Sequence, residues 1–154
     1  MLLAGYERLP AAAKLFVVRR ATPSFHMGAI CVVTRADGFL LLVRQSYRRD
    51  GWGFPGGLLR RREEPADAAR RELQEELGVD VDLDDQPVVV IDSEMRRVDV
   101  VFRAHLAAGS PDPGKSRHSA EIADVGWFPP DGLPPLLPEA TAALAQLRQR
   151  QAPT

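Results

Sequence analysis

Apolar residues fall along this chain with two different periods. Met27 to Thr34 and Phe39 to Arg44 are nearly continuous apolar runs, separated by Ala36-Asp37-Gly38. Asp-Gly between two such runs predicts two strands joined by a hairpin. From Pro65 the pattern turns helical: at 100° per residue Ala66, Ala69, Leu73 and Leu77 fall within about one quarter of the circumference. Proline lacks the N–H that a first helical turn leaves unpaired, and glycine is favoured just past a helix end, so a helix is predicted from Pro65 to Gly78. Pro87 to Ser93 and Val98 to Ala107 read as two further strands around a turn at Met95 to Arg97. In the second of these Asp99, Arg103 and His105 alternate with Val98, Val100, Phe102 and Ala104. A last strand carries Trp127-Phe128, Pro129 to Pro135 is a stiff connector, and Pro138 to about Gln151 is a closing helix. This order predicts an α/β fold with a mixed β-sheet sandwiched between α-helices.

Ends and loops complete the outline. Residues 1–20 read as helical in two pieces broken at Pro10, with Leu2, Leu3, Tyr6 and Leu9 in the first and Leu15, Phe16 and Val18 in the second. We take residues 1–154 as a single domain with 1–22 as a helical extension, which either covers its own sheet or joins a homodimer contact. Ala108 to Ser119 concentrates prolines, glycines and polar residues and is a candidate lid.

The polar side of the central helix changes the picture. Glu72 and Glu76 are i,i+4 neighbours and Glu72 and Glu75 i,i+3, so like charges crowd together at a cost of a few tenths of a kcal/mol per pair, roughly. A solvated acidic face is the ordinary explanation of such a cluster. A hard divalent cation is the other, because Mg²⁺ takes oxygen ligands and bridges carboxylates to substrate phosphates. Just ahead, Trp52-Gly53-Phe54-Pro55-Gly56-Gly57 has the mix of aromatics and glycines that lets a backbone approach a ligand closely.

The spacing favours the second explanation. Gly57 is followed after five residues by Glu63, after seven more by Arg71-Glu72-Leu73, then by Glu75-Glu76 and Gly78-Val79. Here the chain resembles the Nudix hydrolases, whose signature matches at every required position; family members often carry glycine where this chain has Arg62. The resemblance spans roughly Met27 to Gln151 and implies the Nudix fold. It also implies Mg²⁺-dependent hydrolysis, with Mn²⁺ able to substitute, of the diphosphate linkage in a nucleoside diphosphate joined to another group. By match to the motif, Glu72, Glu75 and Glu76 are metal ligands, Glu76 foremost. Glu72 or Glu121 is the general base, and Arg71 with Glu63 braces the loop against the helix. Gly56, Gly57, Trp52, Phe54 and Arg44 are substrate-binding or loop-shaping residues, the two aromatics serving either as a stacking surface or as core anchors.

Trp52-Gly53-Phe54-Pro55-Gly56-Gly57 resembles the approach to the signature in Nudix proteins acting on nucleoside triphosphates, so a small nucleotide of that kind is the expected substrate. ADP-ribose or nucleotide-sugar hydrolysis, removal of diphosphate from RNA 5′ ends, and nucleotide sensing without catalysis are the alternatives; with all signature residues intact, catalysis is expected.

Composition narrows little further. A net charge of −1 gives no general attraction for nucleic acid, although arginines cluster at Arg48-Arg49, Arg60 to Arg62 and Arg70-Arg71 around the central stretch. Cys31 is the only cysteine and sits in an apolar run, which suits a buried residue in a reducing compartment. No apolar run of membrane-spanning length interrupts the chain, so no membrane association and a cytoplasmic location are expected. His26, His105 and His118 are isolated from metal-site spacing.

Overall fold

The computed structural model describes residues 10–48, 50–113 and 119–151. Its elements are α1 (Ala11–Ala21), β1 (His26–Val33), β2 (Leu40–Gln45), β3 (Gly56–Leu58), α2 (Pro65–Leu77), β4 (Val81–Leu83), β5 (Val88–Asp92), β6 (Arg97–Leu106), β7 (Ile122–Phe128) and α3 (Pro138–Gln151). A five-stranded mixed sheet runs β3-β1-β6-β4, with β5 also on β6, and β2 and β7 form a separate antiparallel pair. β1 and β6 are the parallel centre, in register from His26 opposite Arg97 to Val33 opposite Ala104.

The two central runs are apolar throughout because both faces of each are covered. Along β1, Ala29, Cys31 and Val33 point into one core while Ile30 and Val32 point into the other. Along β2, Leu41 and Val43 join the first core and Leu40 and Leu42 the second. A strand buried on both sides has no polar face to alternate with. The first core is closed by Ala68, Ala69, Leu73 and Leu77 of α2, the second by Ala140, Ala143 and Leu147 of α3. A mixed sheet between helices, as the pattern predicts, is what forms.

The hairpin expected at Asp37-Gly38 forms only at its tip. Arg35 N–H donates to the Phe39 carbonyl and a single bridge joins Thr34 to Leu40. Beyond it the strands part, because β3 and β6 already occupy the two edges of β1, and β2 pairs with β7 instead. Local turn chemistry is satisfied while the ladder goes elsewhere.

Two short strands, β3 and β4, were not expected; each is three residues long and stabilised by its neighbour in the sheet, too short for a period of its own. The first helical piece, with Leu2, Leu3, Tyr6 and Leu9, lies outside the described residues, as do Arg49, His118 and the middle of the Ala108–Ser119 segment. No helix among the described residues is long and apolar enough to cross a membrane.

Cys31 is fully buried, and burial, ahead of the charge of Glu76, pushes its thiol up to about 12, so it is a packing residue with no thiolate to offer. Leu73 is likewise fully buried between α2 and the sheet, whereas Leu15 on α1 is exposed. Leu73→Ala is expected to lower unfolding free energy by about 3 kcal/mol and Leu15→Ala by less than about 0.5, as read from urea denaturation of both variants.

Candidate active site

α2 starts at Pro65 without a side-chain cap and ends at Gly78, whose φ of 66° is the left-handed cap that glycine adopts without strain. Its buried stripe includes one charged residue, Glu76, which is 6% exposed. The turn of chain that covers it is β3, which pairs with β1 through Gly56–Ile30, Gly57–Ala29 and Leu58–Gly28. Gly56 takes φ 149°, and a Cβ there would run into the Ala29 carbonyl; a Cβ on Gly57 would occupy the place of the Glu72 carboxylate. The two glycines therefore let helix carboxylates lie directly against strand backbone. Gly56 N–H donates to Glu76 Oε2 at 3.2 Å.

That single hydrogen bond does not offset burial. Removal from water, reinforced by the charges of Glu72, Glu121 and Glu75, pushes the Glu76 carboxyl up to about 8. Next to it Arg71 is the hub of an ion network. Its Nε and Nη2 donate to the two oxygens of Glu63 at 2.6 and 2.9 Å, and Nη1 to Glu72 at 2.6 Å and Glu75 at 3.1 Å. Nη2 also reaches the Leu58 carbonyl at 3.2 Å. Glu63, held first by Arg71 and then by the Arg60 N–H at 2.7 Å, has its carboxyl drawn down to about 2. Loop, strand and helix are thus bound through one guanidinium. Arg62 takes φ 66°, the left-handed conformation that glycine adopts without strain.

A cleft of about 910 Å³ opens over this network. Glu72, Glu75, Glu76, Arg71, Gly56, Gly57 and Phe54 line it, and so does Glu121. Two backbone bonds bring Glu121 there: Ser46 N–H to the Glu121 carbonyl at 2.8 Å, and Ser119 N–H to the Glu76 carbonyl at 3.0 Å. The motif carboxylates and the late carboxylate, far apart in the chain, therefore share one cavity.

Trp52 and Arg44 lie elsewhere. Trp52 packs edge-on against Phe128 with centroids 4.9 Å apart, and Arg44 pairs with Asp124 and covers the Trp52 ring at 5.9 Å. Neither is among the residues lining the cleft. Conversely, Tyr47, which the pattern did not single out, Arg48 and Arg60 of the arginine clusters, and Arg97 together with Asp99, the latter on the predicted polar face of its strand, do line it. For the last two a signal existed, an Arg-x-Asp spacing on one face of a strand.

Among the described residues no three acidic, histidine or cysteine side chains already converge as a ligand shell for a metal ion, since Glu72 and Glu75 face Arg71. The donor chemistry nonetheless suits a hard divalent cation: the donors are carboxylate oxygens, and one of them, Glu76, is buried among like charges that a cation would relieve. A Mg²⁺-type ion keeps waters and takes substrate oxygens, so it needs no complete protein cage.

The NUDIX domain model matches residues 24–151. A MutT-like protein of Streptomyces ambofaciens is 33% identical over 122 residues, 79% of this chain and 75% of that protein. The NAD-capped RNA hydrolase of Vibrio vulnificus is 31% identical over 125 residues, 78% of this chain but 45% of that protein. Among solved structures, a MutT NUDIX hydrolase from Burkholderia pseudomallei superposes with a TM-score of 0.65 at 28% identity, covering 81% of this chain and 99% of that one. The fold and the carboxylate cleft define a Nudix-type hydrolase, and the chain belongs to the Nudix family. It is a pyrophosphohydrolase by class, and its family uses a divalent metal.

The Glu76 shift has a thermodynamic consequence. Folded, Glu76 keeps its proton up to about pH 8; unfolded, it loses it near its ordinary 4.5. Between these values the unfolded chain binds fewer protons, so the cation-free protein loses stability as pH rises through that window. Glu76→Gln removes the slope. Its melting temperature is expected to exceed wild type at about pH 9, with the gap closing at about pH 5; a gap independent of pH would show that Glu76 is not the titrating group.

Proposed function

We propose that this chain hydrolyses the diphosphate linkage of a small nucleotide, a nucleoside triphosphate foremost, using Mg²⁺ or Mn²⁺. The observation that carries this reading is the convergence of Glu72, Glu75, Glu76 and Glu121 on one cleft floored by Gly56 and Gly57. Glu72, Glu75 and Glu76 would hold the cation, which when bound supplies charge neutralisation and a more acidic water.

The chain's own residues do the rest. Gly56 N–H fixes Glu76, and Arg71, braced by Glu63, sets the orientation of Glu72 and Glu75. Arg60, bonded to Glu75 at 2.8 Å, and Arg48, paired with Glu139, sit on the cleft wall where they can exchange carboxylate for phosphate oxygens. Glu121 or Glu72 takes the proton of the attacking water. Phe54, buried at 8% exposure in the second core, backs the cleft wall, while Trp52 and Arg44 shape the loop from behind through their contacts with Phe128 and Asp124. In this reading residues 1–154 act as one domain in the cytoplasm, with 1–22 as an extension whose apolar residues Leu15, Phe16, Val17 and Val18 are available to a second copy. RNA 5′ ends are a second reading, favoured by the likeness to the NAD-capped RNA hydrolase.

Release of the nucleoside monophosphate, or of the 5′-monophosphorylated oligomer, should be measured by chromatography over nucleoside triphosphates, ADP-ribose, a UDP-sugar and a triphosphorylated oligoribonucleotide, with Mg²⁺ present. Release from the free triphosphates is expected to be fastest, to stop with EDTA, and to fall about 100-fold or more in a folded Glu76→Gln protein. Faster cleavage of the oligonucleotide selects the RNA reading, and equal inertness of both proteins, with a nucleotide still raising the melting temperature, selects a sensing module.

A further inference from the structure

The cleft has a second polar centre, on β6. Arg97 Nε donates to both carboxylate oxygens of Asp99 at 2.8 Å, and Asp99 is 3% exposed. Gly28 faces Asp99 across the β1–β6 ladder, and a Cβ there would collide with Asp99 Oδ1 and press on Arg97 Nη2. Lack of a side chain on β1 thus makes room for the pair. Asp99 engages only Nε, and among the described residues Nη1 and Nη2 have no hydrogen-bond partner. The Arg97 side chain is 32% exposed and lines the cleft. A planar fork anchored from behind presents two parallel donors, which match two adjacent acceptors.

The surroundings select the kind of acceptor. Asp92 is the ladder partner of Arg97, and the charges of Glu139 and Asp92 act on Asp99 besides that of Arg97; with Arg48 paired to Glu139, three carboxylates stand against two guanidiniums at this end of the cleft, an unfavourable balance for a further anion. Val90, Ile91 and Met95 supply apolar wall beside it. A flat uncharged ring with acceptors along one edge suits both conditions. Tyr47 lines the same cleft; burial raises its phenol first, with the charges of Glu121 and Glu76 adding to the effect and those of Arg48 and Arg97 opposing it.

We propose that Arg97, positioned by Asp99, reads the nucleobase of the substrate through an edge with two adjacent acceptors, as guanine presents with O6 and N7 and adenine, with an amine beside N7, does not. This rests on the nucleotide reading above, and binding separates the two. The probes are the α,β-methylene analogues of GTP and ATP, titrated by calorimetry with Mg²⁺ into wild type, Arg97→Lys, Asp99→Asn and Gly28→Ala. Wild type is expected to favour the guanosine analogue about tenfold. Arg97→Lys and Gly28→Ala should bring that ratio close to one, and Asp99→Asn should lower it partway. In turnover of GTP the loss should lie in KM rather than kcat, and 7-deaza-GTP should reproduce it in wild type without a further loss in Arg97→Lys.

Lack of guanine preference in wild type, its survival in folded Arg97→Lys, or equal weakening of both analogues would overturn the proposal, the last by making Arg97 a phosphate ligand. Should the variants fail to fold, equal wild-type affinity for 7-deaza and natural guanosine nucleotides would overturn it as well. Guanine-selective binding lost in Arg97→Lys, with no hydrolysis of any nucleotide, would uphold the proposal and remove the hydrolytic reading; absence of both binding and hydrolysis would remove both.

Discussion

Glu72 and Glu76 press their carboxylates against the backbone of Gly56 and Gly57, and almost every other feature of the site follows from that contact. Removal from water, reinforced by repulsion from the neighbouring carboxylates, is why Glu76 holds its proton far above the usual carboxylate range. Helix, strand and loop must then be clamped by something other than apolar packing at this seam. Arg71 provides the clamp by binding Glu63, Glu72, Glu75 and the Leu58 carbonyl at once. The strain of like charges is held in place by one cation of the chain and is available to be relieved by another from solution.

The arrangement works because the elements that carry the charges rest on rigid supports. α2 is pinned by four fully buried residues, Ala68, Ala69, Leu73 and Leu77, and β3 by its pairing with β1. β1 is thereby central twice. Its Ala29–Ile30 backbone backs the glycines of the carboxylate site, and its Gly28 opens the space for Arg97 and Asp99 on the neighbouring strand. One strand registers the two polar centres relative to each other, so a substrate that reaches both meets a fixed separation.

Much of this was legible in the sequence where a local rule governs. Pro65 and Gly78 bracket α2 as expected, because proline and glycine act on the backbone of their own turn. The apolar runs of β1 and β2 mark buried strands, and the Gly-x₅-Glu-x₇-Arg-Glu spacing places the carboxylates on one helix face. The hairpin illustrates where locality ends: Asp37-Gly38 makes its turn, yet the partner of β2 is β7, since competition for the edges of β1 is decided by segments far along the chain.

Sequence by itself therefore determined the family and the identity of the helix carboxylates, because both are written in spacing along a single stretch, and the α/β order of all elements but the short β3 and β4, which have no period of their own. Only tertiary structure decided that Glu121 shares a cleft with them, that Trp52 turns to Phe128 while Phe54 is buried in the second core behind the cleft wall, and that Arg97 is left with two uncommitted donors. Those facts depend on strand register and on which side chains compete for the same space. The glutamate helix at the heart of the chain was recognisable at once; its protonation, its clamp and the cleft above it exist only when β1, β3 and α2 are packed together.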